Sequence, residues 1–215
     1  RTQLVSALVI SEQHDAPPTS FAIKEAKEIE PVPTDQKYTS FISRLARYYQ
    51  ISPLALLKRI RQFVHQKPVQ EPEKSPGLEQ TNTGVTLTSE QQKIVNFLEP
   101  HARHPFYCPV ALHGVTGSGK TEVYKSLIRS MIQENKNVLL LLPEVTLAIE
   151  FEKRLRTELN EIPICSFHSG TTTKQKRLLW HRLLHDEATL IIGVHLPILL
   201  PISTSSAPPW CGTMR

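Results

Sequence analysis

Apolar positions along this chain change their spacing from one stretch to the next. RTQLVSALVIS (1–11) reads as a β-strand, closed by a turn at Pro17 and Pro18. FAIKEAKEIEPVP (21–33) predicts a short strand, with a helix left open over KEAKEIE. TDQKYTSFISRLARYYQ (34–50) then sets Tyr38, Phe41, Ile42, Leu45, Tyr48 and Tyr49 at the spacing of an amphipathic helix. A second helix is predicted from about Ser52 to Val64, with Pro53 in its first turn. Residues 66–86 are polar, carry Pro68, Pro72 and Pro76, and read as a linker.

Beyond the linker the pattern alternates. TSEQQKIVNFL (88–98) predicts a helix capped by Ser or Thr, and CPVALHG (108–114) a short buried strand. TEVYKSLIRSMIQENK (121–136) predicts a helix and NVLLLLP (137–143) a continuous apolar strand, the kind a parallel sheet covers on both faces. TLAIEFEKRLRTEL (146–159) and TKQKRLLWHRLLHD (173–186) are helices, IPICSFH (162–168) and ATLIIGV (188–194) strands. About four strand–helix alternations argue a doubly wound parallel α/β domain. Trp180 and Leu183 fit its core.

Charge adds one feature. The formal net charge is +5, but no Asp or Glu lies between Gln36 and Lys67, where Lys37, Arg44, Arg47, Lys58, Arg59, Arg61 and Lys67 do. Such a patch suits an acidic partner such as nucleic acid, and equally a solvated helical face. The basic run Lys174, Lys176, Arg177, His181 and Arg182 carries the same two readings. Cys108, Cys165 and Cys211 form neither a zinc pattern nor a disulfide framework, which fits a reducing compartment. His181 and His185, four apart on a helix, read as surface histidines because no third ligand is near. No apolar run approaches the roughly 18 residues of a membrane span, and no signal peptide is visible. A start at Arg1, inside a strand-like run, is expected of a chain whose true N-terminus is missing or processed.

The chemistry concentrates at HGVTGSGKTEVY (113–124). Gly114, Gly119, Lys120 and Thr121 match G-x-x-x-x-G-K-[ST]. A loop that wraps a phosphate with its own N–H groups favours glycine, and Gly117 extends that freedom. The helix that follows aims its positive end at the anion. Gly114, Val115, Thr116, Gly117, Ser118, Gly119, Lys120 and Thr121 are therefore the expected ATP site, with Lys120 against the β- and γ-phosphates and the Thr121 hydroxyl on Mg²⁺. Gln91, about twenty residues upstream, is placed to read adenine with its amide, as in many helicases, or to partner a helix cap. The signature of a transporter ATPase and the lid of a kinase are not seen.

LTSEQ (87–91), GVTGSGKTEVY (114–124), LLLPEVTLA (140–148), FHSG (167–170) and ATLIIGV (188–194) together resemble the PriA family of replication-restart helicases, as does LARYYQISPLALL (45–57). The resemblance implies an ATP-dependent 3′-to-5′ DNA helicase of the bacterial cytoplasm, working on forked or single-stranded DNA with primosome and single-strand-binding proteins. It implies a partial DNA 3′-end-binding domain of α+β character over 1–65, an incomplete RecA-like lobe over 87–202 and a divergent tail over 203–215. Pro143, Glu144 and Thr146 fall in the block that faces the DNA strand, and His168, Ser169 and Gly170 end the next strand. With the basic patch, this makes Arg44, Arg47, Lys58, Arg59, Arg61 and Thr146 the candidate DNA contacts.

The chain also departs from that family. Val194 and His195 stand where Thr and Arg are usual, Ala55 replaces a Gly, and 65–86 holds no winged-helix segment. The Asp-Glu-Glu-His block is missing, and no Asp or Glu follows Glu187. The second motor lobe, its arginine finger and the cysteines for the family's zinc are not in these residues either. The tail reads as a frameshift or truncation product, and the expectation is a chain that contacts nucleotide yet hydrolyses ATP poorly or not at all alone, or a DNA- or primosome-binding fragment with a vestigial loop.

Overall fold

The computed structural model describes residues 36–61, 86–104, 107–202 and 211–213. The predicted strand at 1–11, the 21–33 segment and the linker up to residue 85 lie outside the described residues. The chain divides between Arg59 and Ile60 into two compact units.

In the first unit, α1 (Gln36–Tyr48) buries Tyr38, Ile42 and Ala46, which recur every four residues along one side. Burial pushes the Tyr38 phenol well above its usual range. Helix α2 (Pro53–Arg61) starts on a proline, whose missing N–H costs nothing in a first turn. Ser52 Oγ accepts from the Ala55 N–H at 3.2 Å just before it, and Leu56 and Leu57 are buried. Phe41, Tyr48 and Tyr49, counted above among the apolar positions of the predicted 34–50 helix, are exposed.

The second unit opens with α3 (Ser89–Arg103), which runs through Pro100 and so past the predicted end at Leu98. It begins in a capping box: Thr88 Oγ1 accepts from the Gln91 N–H at 3.3 Å, and Gln91 Oε1 accepts from the Thr88 N–H at 2.9 Å. Val95 and Leu98 of α3 pack on Val123 and Leu127 of α4 (Lys120–Gln133), with Val110 and Leu112 against them. That contact corrects the strand predicted over 108–114. The described residues there, 107–115, form no ladder and instead lay alternate apolar side chains onto the α3–α4 pair.

The sheet is parallel, in the order β2-β3-β1-β4. Strand β1 (Val138–Leu141) pairs with β3 (Leu190–Gly193), and β3 with β2 (Ile164–Phe167). These three apolar strands match the prediction because each is buried from both faces, so neither face needs polar alternation. β4 (Cys211–Thr213) comes from the divergent tail and takes the other edge of β1.

Helices lie on both faces. Ala148, Leu155 and Leu159, from and just after α5 (Val145–Glu158), pack with Ile128 of α4 against Leu140, Ile164, Leu190 and Ile192. On the opposite face α6 (Thr173–Leu184) packs on β2 and buries Leu179, Trp180 and Leu183. α6 opens in a second capping box, Thr172 with Gln175. A short 3₁₀ turn (Leu196–Leu199) follows β3, and a Cβ on Gly193 would collide with Pro197 and with the Phe167 carbonyl.

Charges tie α4 to α5. Lys125, only 6% exposed, reaches Glu122 at 2.6 Å and Glu158 at 2.7 Å. Arg154 joins at 2.8 Å from Glu158. Burial works to raise the Glu158 carboxyl, but hydrogen bonds from Lys125 and Arg154 win and hold it below its ordinary value.

Candidate nucleotide-binding site

The loop between Leu112 and α4 is built on two residues with positive φ. Gly117 has φ 81° and Gly119 φ 79°, a region that L-residues with a Cβ rarely adopt. Gly119 is the N-cap of α4, and no side chain caps that helix. Its first N–H groups and the positive end of its dipole are therefore left for an anion. Lys120 folds back over the loop and donates to the Gly114 carbonyl at 2.6 Å and the Val115 carbonyl at 2.9 Å. A Cβ on Gly114 would meet Ser118 Oγ at 2.7 Å. Val115, Thr116, Gly117 and Ser118 form the exposed crest, and Thr121 is the second residue of α4.

Gln91 sits beside this loop. Its Nε2 points at the Ser118 carbonyl at 3.5 Å, and its amide occupies the space a Cβ on Gly119 would need. Both ends of the amide are thus engaged, one by the cap of α3 and one by the loop. Sequence reasoning raised the cap and the adenine readings; the glycine–glutamine packing was not legible, because it joins residues 28 apart in sequence.

Thr146 is exposed in the first turn of α5 and donates to the Glu144 carboxylate at 3.4 Å. Arg44 and Arg47 are exposed on α1; Lys58, Arg59 and Arg61 belong to α2. The basic run on α6 is not one surface. Lys176 is buried, with its Nζ 5.5 Å from the centre of the Phe167 ring, and burial lowers its pKa. Trp180 and Leu183 are core, as expected. His181 and His185 stack at 4.1 Å, and among the described residues no group of three His, Cys, Asp or Glu could hold a metal. Also among them, no helix is long and apolar enough to cross a membrane.

At the end of β2, His168 is buried and organises its own loop. Its Nδ1 accepts from the Gly170 N–H at 3.1 Å, and its backbone N–H donates to Thr171 Oγ1 at 3.1 Å. Nδ1 as acceptor puts the ring proton on Nε2, which has no hydrogen-bond partner among the described residues. Burial pushes the imidazole below its ordinary pKa; Glu152 opposes this and Lys176 adds to it. A histidine depressed in the fold binds its proton more tightly when unfolded. Its contribution is complete above the unfolded value of about 6.5 and drains away as pH falls through the folded value. The urea midpoint should therefore drop between pH 7 and pH 5 by more in the wild-type chain than in His168→Asn, where Oδ1 can replace Nδ1 as acceptor. Equal drops would show that the imidazole is not held neutral.

A glycine-rich loop opening a helix beside a parallel sheet defines a phosphate-loop α/β protein, and the comparisons specify which. Residues 88–202 match the DEAD/DEAH box helicase family, and the chain belongs to that family. Over most of its length it is similar to the replication restart protein PriA of Rickettsia felis, at 30% identity over 191 residues, 86% of this chain. It is 32% identical over 117 residues to PriA of Helicobacter pylori strain J99, covering 54% of this chain, and 27% over 146 residues to PriA of Bacillus subtilis, covering 68%. The PriA resemblance read from the motifs thus holds, and for part of those proteins only. The chain spans 28%, 18% and 17% of these three relatives.

Proposed function

We propose that these 215 residues carry the nucleotide-binding first lobe of a replication-restart DNA helicase that uses ATP and moves 3′ to 5′. Alone, they bind ATP without turning it over. The observation that carries this reading is the loop itself: Gly117 and Gly119 in the left-handed region, an uncapped α4 behind them and Lys120 folded over the crest. In this reading the α4 N–H groups and Lys120 hold the β- and γ-phosphates, and Thr121 ligates Mg²⁺. Mg²⁺ supplies charge neutralisation between those phosphates. Gln91 braces Gly119 and reaches adenine only by leaving its cap. Turnover needs carboxylates to hold the metal and orient water, and these residues contain none after Glu187.

The DNA side of the proposal rests on Arg44, Arg47, Lys58, Arg59, Arg61 and Thr146, meeting forked or single-stranded DNA. Primosome and single-strand-binding proteins in the bacterial cytoplasm are the proposed partners. The test is a titration with a fluorescent ATP analogue, with and without Mg²⁺, while phosphate release is followed with and without single-stranded DNA. Saturable, Mg²⁺-dependent binding without release is expected. If nothing saturates, the loop is vestigial and the chain is a DNA- or primosome-binding fragment.

A further inference from the structure

Lys37, Phe41, Arg44 and Tyr48 recur on α1 at intervals of four, three and four. At about 100° per residue they fall within one arc of roughly 60°. That arc is not the packed one, which holds Tyr38, Ile42 and Ala46. Phe41 is 38% exposed and Tyr48 79%, with Arg44 between them and Arg47 alongside, both exposed. Tyr49, 60% exposed, meets the Tyr48 ring edge to face with centroids 5.0 Å apart. No carboxylate lies between Gln36 and Lys67 in the sequence.

A face needed only for solubility would carry charge and leave aromatics inside. Protein interfaces also combine arginine with aromatic rings, but a stretch with no carboxylate from Gln36 to Lys67 favours a polyanion. Cations and aromatics in alternation complement a chain that alternates phosphates with flat, unstacked bases. Phe41 and Tyr48 are about 10 Å apart along the helix axis, with Arg44 between them.

We propose that this face of α1 is a stacking platform for single-stranded DNA, in which Tyr48 and Phe41 take bases and Arg44 and Arg47 the intervening phosphates. The proposal deepens the DNA side of the proposed function and names where the bases go. It involves none of the residues of the phosphate loop.

The test is fluorescence anisotropy with the full chain and three probes of one length: an oligothymidylate, its abasic counterpart and a duplex. Tyr48→Ala is expected to weaken oligothymidylate binding about tenfold and leave abasic binding unchanged. Tyr48→Phe should bind as wild type, because stacking needs the ring and not the hydroxyl. Arg44→Ala should weaken both single strands alike and reduce the salt slope by about one. Duplex binding should be weaker than oligothymidylate binding and indifferent to Tyr48. Tyr48 is exposed in the last turn of α1, so Tyr48→Ala should keep its fold, and circular dichroism checks that. The proposal is overturned if Tyr48→Ala binds oligothymidylate as well as wild type, or loses both single strands equally. Capture of a polyglutamate peptide with no oligothymidylate binding would also overturn it, in favour of an acidic protein partner. A chain that binds oligothymidylate through Tyr48 but no ATP analogue would sink the nucleotide reading and leave this one standing.

Discussion

Lys120→Ala is expected to lower affinity for an ATP analogue by about a hundredfold or more, with little change in the melting of the second unit. The size follows from losing the partner of a multiply charged group in a partly enclosed site, which typically costs 2–5 kcal/mol, about 30- to several-thousandfold. Lys120 is half-buried and bonded to two loop carbonyls rather than to an acidic neighbour, so the folded chain already holds its ammonium on the crest. Removing it frees those carbonyls to water, at a cost of about 1 kcal/mol. Lys120→Arg should fall between, because a planar guanidinium keeps the charge but not the shape of a compact ammonium. Isothermal titration with a non-hydrolysable analogue reads all three chains. An alanine variant that binds like wild type would remove Lys120 from the site.

Ile192→Ala should cost about 4 kcal/mol in the second unit, the largest stability loss expected of a single apolar truncation here. Ile192 is fully buried in the strand flanked on both edges, opposite Leu140 of β1 and Ser166 of β2. Helix α5 packs onto the same face, so neighbours on three sides limit how far the cavity can collapse. Ile192→Val should lose only about 1 kcal/mol. For a unit of this size, 4 kcal/mol lowers the melting temperature by roughly 10 °C. Urea unfolding followed by tryptophan fluorescence measures both variants. Equal midpoints for alanine and wild type would mean that β3 is not the core strand.

What the sequence disclosed follows from what each signal measures. VLLL, ICSF and LIIG were legible as buried parallel strands because burial from both faces leaves an unbroken apolar run. The Thr-x-x-Gln box of α3 and the glycine loop were legible because their physics is local; the box that opens α6 emerged only in the structure. Residues 108–114 were misread because an apolar run reports burial and not pairing, and Val110 and Leu112 find theirs on α3 and α4. Helical spacing in α1 identified apolar positions without saying which side faces the core, so Tyr48 counted with Ile42. Lys176 looked like part of a basic surface because nothing local announces that Phe167 will lie under it. β4 was hidden because three residues of a tail pair with a strand some seventy positions earlier.

The same Thr-x-x-Gln device opens α3 and α6, but only the first lies against the glycine loop. Gln175 therefore reports what such an amide does when no ligand is at stake, and Gln91 reports that duty plus whatever the loop adds. The molecule contains its own blank measurement: the difference between losing one glutamine and losing the other separates the start of a helix from the hold on a nucleotide.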